Sequence, residues 1–145
     1  DSQRVFGAFG GEVLAVHRDN GSTAWRTRVS SSAEIAGAVL VVGEGIVLAP
    51  VTNFTVALDA ETGEIRWTYL APDDKGTGPG SVVLSTPAIA GGRAFIPAWG
   101  PSVSAVDVQS GAVAWTWVPP DSGAPRAGTT GVAVGGDTVY VTGWT

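Results

Sequence analysis

The chain has 145 residues, of which 44% are hydrophobic and only 14% charged, and its net charge is −5. That apolar content excludes an intrinsically disordered segment. The acidic balance, with Lys75 the single lysine, argues against a nucleic-acid partner and against a polybasic membrane patch. The absence of cysteine excludes a disulfide and a thiolate metal site.

The chain opens at Asp1 and holds no methionine, which points to a segment that has been processed or cut from something longer, with no targeting peptide to read. The 21 glycines and nine prolines follow no short period, as many turns between short strands require. Residues 4–9 read as a strand that Gly10-Gly11 turns into a second, 12–17, and residues 23–29 run back as a third. Ser30-Ser31-Ser32 is a linker of turn-forming residues. Residues 35–50 are apolar, but Glu44 interrupts them, they fall short of the ~20 residues of a spanning helix, and they are rich in valine. Two buried strands around a Gly43-Glu44-Gly45 turn are expected there instead, followed by strands at 54–58 and 64–70. Residues 71–80, with Pro72, Asp73, Asp74 and three glycines, form an exposed loop. Further strands are expected at 85–89, 93–99, 102–106 and 112–118. Pro87 and Pro97 should mark strand ends or edges, since proline cannot donate to a ladder. After a second polar connection, 119–128, the last two strands fall at 129–134 and 137–142.

One pattern occurs three times along this series. Ala57, Gly63 and Trp67 stand in the same spacing as Ala15, Gly21 and Trp25, and as Ala105, Gly111 and Trp115. The three tryptophans recur at intervals of 42 and 48 residues, within the range of repeat architectures. Each copy reads as two strands around a tight turn. Asp59 and Thr62 can bond nearby amides to hold that turn, and Gly63 supplies a positive φ without steric penalty. A recurring indole of this kind is expected to serve packing between repeated sheets, with Trp25, Trp67 and Trp115 each buried or docked.

Ala57-x-Asp59-x-x-Thr62-Gly63-x-x-x-Trp67 resembles the tryptophan-docking motif of β-propellers related to the pyrroloquinoline-quinone (PQQ) enzymes. Ala105-x-Asp107-x-x-Ser110-Gly111-x-x-x-Trp115 matches with serine for threonine. The first copy departs from it, with His17 where the aspartate stands. The resemblance covers nearly the whole chain. It implies an all-β propeller segment of four-stranded antiparallel blades: an incomplete blade at about 4–29, blades at about 36–70 and 84–118, and a partial blade at about 129–142. Propellers close with ~4–8 blades, so these repeats are expected to belong to a larger propeller or to close with another chain.

The motif specifies a fold and leaves activity open. The resemblance implies two readings. One is a non-catalytic module that offers a rigid surface to a protein partner or to further blades, without a cofactor. The other is a segment of a PQQ-dependent alcohol dehydrogenase holding PQQ and calcium. No adjacent cysteine pair and no cofactor motif of the quinoprotein enzymes stands in the sequence. Asn53, Asp73, Asp74, Trp99 and Arg126 have suitable chemistry but no metal-cage spacing. Asp73-Asp74-Lys75-Gly76 lacks the alternating oxygen ligands of a calcium loop, and Gly76-x-Gly78-x-Gly80 has no following lysine or helix to cradle phosphate. His17, the single histidine, sits in a turn without partners for a triad or a zinc site. Catalytic and metal residues are therefore not assigned, and the non-catalytic module is the favoured reading. The resemblance further implies a periplasmic or extracellular location.

Overall fold

The computed structural model describes residues 3–31, 39–51, 54–70, 86–98, 102–119 and 128–144. Among them the regular elements are strands alone, joined as antiparallel meanders. The first sheet has three strands, β1 (Arg4–Phe9), β2 (Glu12–His17) and β3 (Thr23–Arg28). The second has four, β4 (Val41–Gly43), β5 (Ile46–Val51), β6 (Phe54–Asp59) and β7 (Ile65–Leu70). The third repeats that plan in β8 (Ala88–Ala90), β9 (Arg93–Ala98), β10 (Ser102–Asp107) and β11 (Val113–Trp117). A final pair, β12 (Gly128–Gly135) and β13 (Thr138–Trp144), forms a two-stranded sheet. The all-β propeller architecture expected from the repeat is the one found.

Consecutive sheets pack face to face through three apolar clusters. The first joins Phe6, Val13, Ala15 and Trp25 to Val47, Ala49, Val56 and Leu58. The second joins Ile46, Leu48, Trp67 and Tyr69 to Ala94, Ile96, Val106 and Val108. The third joins Phe95, Val103 and Ala105 to Val132, Val134, Val139 and Val141 on the last hairpin. This stacking explains the run Ile46-Val47-Leu48-Ala49, which is apolar without alternation: β5 has a sheet on each face, so every residue of it is buried.

Short turns link the inner strands. Gly10-Gly11 and Gly91-Gly92 each have φ between 59° and 80° at both central positions, the geometry that matches the twist of a two-residue hairpin. In the second sheet Glu44 takes the first of these places, with φ of 50°. Its carboxylate accepts a bond from Gly92 N at 3.0 Å, and its carbonyl accepts one from Gln109 Nε2 at 3.1 Å. The unusual backbone thus ties the second sheet to the third. Of the two strands expected within 35–50, β5 is buried, but β4 is only half-buried, because it is an inner edge strand with a single partner. Pro50 and Pro97 obey the edge rule inside long strands. β4 reaches no further than Leu48 and β8 no further than Phe95, so the missing N–H faces no ladder partner.

Candidate interaction surface

The three motif copies build one arrangement. Each alanine pairs directly across the ladder with its tryptophan: Ala15 with Trp25, Ala57 with Trp67, Ala105 with Trp115. All three alanines are fully buried, and their small side chains leave the space over the sheet that an indole needs. One position beyond the pair each ladder slips by a residue, at Ala15/Val16, Ala57/Leu58 and Ala105/Val106. A bulge of this kind re-aims the neighbouring side chain. A third residue completes each site from the next strand: Phe6, Leu48 and Phe95 pair with the same alanines.

The turns follow from aspartate chemistry. Asp59 Oδ1 accepts bonds from the amides of Glu61 and Thr62 at 2.9 and 2.8 Å and from Thr62 Oγ1 at 3.1 Å, while Gly63 N donates to Asp59 O at 2.9 Å. Asp107 does the same for Gln109, Ser110 and Gly111. His17 keeps the backbone bonds, to Gly21 N and Ser22 O, both at 2.8 Å, but gives no side-chain cap. Asn20 takes over that task, accepting from Ser22 N and Ser22 Oγ. The departure at His17 therefore leaves the turn intact, with its clamp moved three residues on.

The Arg66 guanidinium, 2.7 Å from Oδ2, and the Thr62 and Glu61 amides hold the Asp59 carboxyl down to about 2 from its ordinary 3.8. The Ser110 hydroxyl and amide depress Asp107 in the same direction. Because folding lowers the Asp59 pKa, its carboxylate stabilises the fold above the unfolded value, and that contribution is lost as pH falls from 3.8 towards about 2. Asp59→Asn is expected to flatten the acid limb of stability over that interval, measured as urea midpoints against pH. Added salt should shrink the difference, since Arg66 is exposed.

Each buried indole reaches the turn of the following sheet. Trp25 Nε1 donates to Ala60 O at 3.1 Å, and its ring lies on Gly63, where a Cβ would come within 2.5 Å. Trp67 Nε1 donates to Val108 O at 2.9 Å, and its ring lies on Gly111, where a Cβ would come within 2.7 Å. Thr27 Oγ1 to Gly63 O and Tyr69 OH to Ser104 Oγ add bonds across the same two contacts.

Trp115 differs. Expected to be buried like the others, it is 41% exposed, whereas Trp25 and Trp67 are 9% and 8% exposed. The physical reason is plain: among the described residues, no further turn covers it. With Trp117, 43% exposed, it borders a cavity of about 590 Å³ lined, among the described residues, also by Val103, Val139 and Val141. Val113 and Val118 are exposed too, as Ile65 and Leu70 are at the same places in the second sheet, so they are not part of this face. Gly21 is the counterpart at the other end of the series: it has φ of 70°, and an added Cβ would meet nothing within 4 Å.

Trp117 was readable as a member of this face, because residues two apart on a strand share a side. Val139 and Val141 were not, since only the stacking of β13 brings them there. The Tyr69–Ser104–Thr116 chain of hydroxyls, at 2.7 and 2.8 Å, likewise joins residues far apart in sequence. Asn53, Asp73, Asp74, Trp99 and Arg126, and the two glycine-bearing loops, lie outside the described residues. Among the described residues no three histidine, aspartate or glutamate side chains gather as metal ligands. No helix among them is long and apolar enough to cross a membrane.

The same fold occurs in solved structures. BamB from Moraxella catarrhalis is 18% identical, with a TM-score of 0.74 over 97% of this chain and 40% of its own. The quinohemoprotein alcohol dehydrogenase ADHIIG from Pseudomonas putida HK5 is 15% identical, with a TM-score of 0.64 over 97% of this chain and 29% of its own. The computationally designed Ika4 protein is 14% identical, with a TM-score of 0.68 over 99% of this chain and 86% of its own. This chain therefore spans less than half the length of the Moraxella BamB and about a third of the dehydrogenase. No curated protein matches it. The family model described as outer membrane protein assembly factor BamB matches residues 10–143, from the first hairpin to the last, and the chain belongs to that family of PQQ-like β-propellers.

Proposed function

We propose that this chain is a non-catalytic propeller module, a rigid stack of blades that presents a surface to a protein partner within a larger propeller or assembly. The observation that carries the reading is the locking of successive sheets by Trp25 and Trp67, each bonded to a carbonyl in the turn of the next sheet, which makes the stack rigid. Two tryptophans, Trp115 and Trp117, stand exposed on β11, where their counterparts in the second sheet, Trp67 and Tyr69, are buried. Membership of the BamB family supports the same direction, and a periplasmic or extracellular location goes with it.

The second reading, a segment of a PQQ-dependent alcohol dehydrogenase, draws on the likeness of fold to the Pseudomonas enzyme. The two separate in one titration of the complete protein with PQQ and calcium. A ligand at a hundred times its Kd stabilises the native state by about 2.7 kcal/mol, easily seen as a higher melting temperature. The scaffold reading expects no saturable change in melting or in quinone absorbance. A saturable change in either would overturn it.

A further inference from the structure

We infer that the polar contacts between the second and third sheets form a pairing code, by which the second sheet accepts the third and refuses the first two sheets of another copy of the chain. This goes beyond the scaffold reading and holds whichever surface the stack presents. The indole locks cannot make the choice, because Trp25 and Trp67 engage the following turn in the same way. Sheets so alike need a second device if they are to stack in one order. Two groups of the second sheet supply it. The buried Tyr69 hydroxyl donates to Ser104 Oγ at 2.7 Å, and Ser104 Oγ lies 2.8 Å from Thr116 Oγ1. At the inner corner the Glu44 carbonyl accepts from Gln109 Nε2 at 3.1 Å.

The matching positions of the other sheets carry the wrong chemistry. Counted from the motif alanines, Ser104 corresponds to Leu14 in the first sheet and Val56 in the second, and Gln109 corresponds to Asp19 and Glu61. Were Tyr69 to pack on the second sheet of another copy, its hydroxyl would meet Val56 and lose its acceptor. A hydrogen-bonding group buried without a partner carries its full desolvation cost. At the corner, the Glu44 carbonyl would face the Glu61 carboxylate, an acceptor against an acceptor, with the Glu44 charge close by. The first sheet of another copy fails on both counts, through Leu14 and Asp19. Glu44 itself shows that the corner is held for a purpose. It has φ of 50° where the third sheet has Gly91, and its carboxylate accepts from Gly92 N at 3.0 Å. A side chain adopts that backbone only at a cost. Thr55 shows the reverse case. It stands where the other sheets have Val13 and Val103, and among the described residues its buried hydroxyl has no partner, so it takes no part in the code.

The test refolds the full chain, labelled with 15N at tryptophan, over a range of concentrations. Trp67 bonded to Val108 O gives one indole N–H signal. Trp67 seated on a turn of another copy's first or second sheet gives a second, whose share grows with concentration. Tyr69→Phe combined with Gln109→Glu erases both halves of the code, and the second signal is expected to rise at least about tenfold over the unaltered chain at equal concentration. Thr55→Val takes a hydroxyl from the same interface without breaking a bond, and should leave that share unchanged. Glu61→Gln leaves the bonds of the native pair in place and gives the second sheet the amide that another copy's Glu44 accepts. A rise of about threefold is expected there, and this variant decides the question even if the double variant does not fold. A second signal no larger than in the unaltered chain, or an equal rise for Thr55→Val, overturns the inference. These outcomes are independent of any response to PQQ and calcium, so the scaffold reading is judged separately.

Discussion

Replacing Trp67 with alanine is expected to lower stability by ~3–5 kcal/mol, the range for removing a large buried aromatic. Three separate losses combine. The indole is 8% exposed and belongs to the cluster that joins the second and third sheets. Its N–H is the donor to Val108 O, which would be left without that bond. Its ring also fills the space between Ala57 and Gly111, which carry almost no side chain, so a cavity there would close only in part. Trp115→Ala is the control, since it has the same cross-strand alanine and an aromatic neighbour but no cover. Its cost should be about half or less, in keeping with its exposure. Urea midpoints for both variants decide the matter: equal losses would mean that contact with the next sheet adds nothing to the burial of Trp67.

That contrast also marks what the sequence could say. The spacing from alanine to glycine to tryptophan was legible because each element answers a local requirement. The alanine leaves room, the aspartate clamps the turn, and the glycine adopts a positive φ. Those requirements are met within a single hairpin, so repetition along the chain exposes them. The glycine has a second duty, to lie bare beneath the indole of the preceding sheet, and this is a contact between hairpins. Sequence alone assigned Gly63 and Gly111 to their turns, whereas the stacking of sheets assigns them also to Trp25 and Trp67. For the same reason Trp115 was indistinguishable from its two counterparts. Its motif is as complete as theirs, and its exposure is decided by whether another sheet packs over it. The exposure of an indole is therefore set by contacts between sheets, which no hairpin-sized signal can report. The clamp on the first turn was hidden differently: His17 broke the motif, and only the bonds from Ser22 to Asn20 reveal that its function is kept.

The two duties of glycine can be separated by experiment. Gly21 and Gly63 have nearly the same backbone, with φ of 70° and 74°. Alanine at either must adopt the left-handed region, at ~1–2 kcal/mol. At Gly21 that is the whole cost, because the new Cβ meets open space. At Gly63 the Cβ would fall 2.5 Å from Trp25 Cδ2 and Cε3 and 2.9 Å from Cγ, closer than such atoms pack. The ring cannot withdraw without giving up its bond to Ala60 O and its contact with Phe6. Gly63→Ala should therefore cost ~3–4 kcal/mol in all, the excess over Gly21→Ala being the price of overpacking. Removing the ring tests the assignment. In a Trp25→Ala background the further loss from Gly63→Ala should fall to that of Gly21→Ala, a coupling of about 2 kcal/mol between residues on different sheets. Additive losses would mean that the glycine is required only by its own turn, and the contact between sheets would then have to be carried by Thr27, Arg4 and the apolar cluster instead.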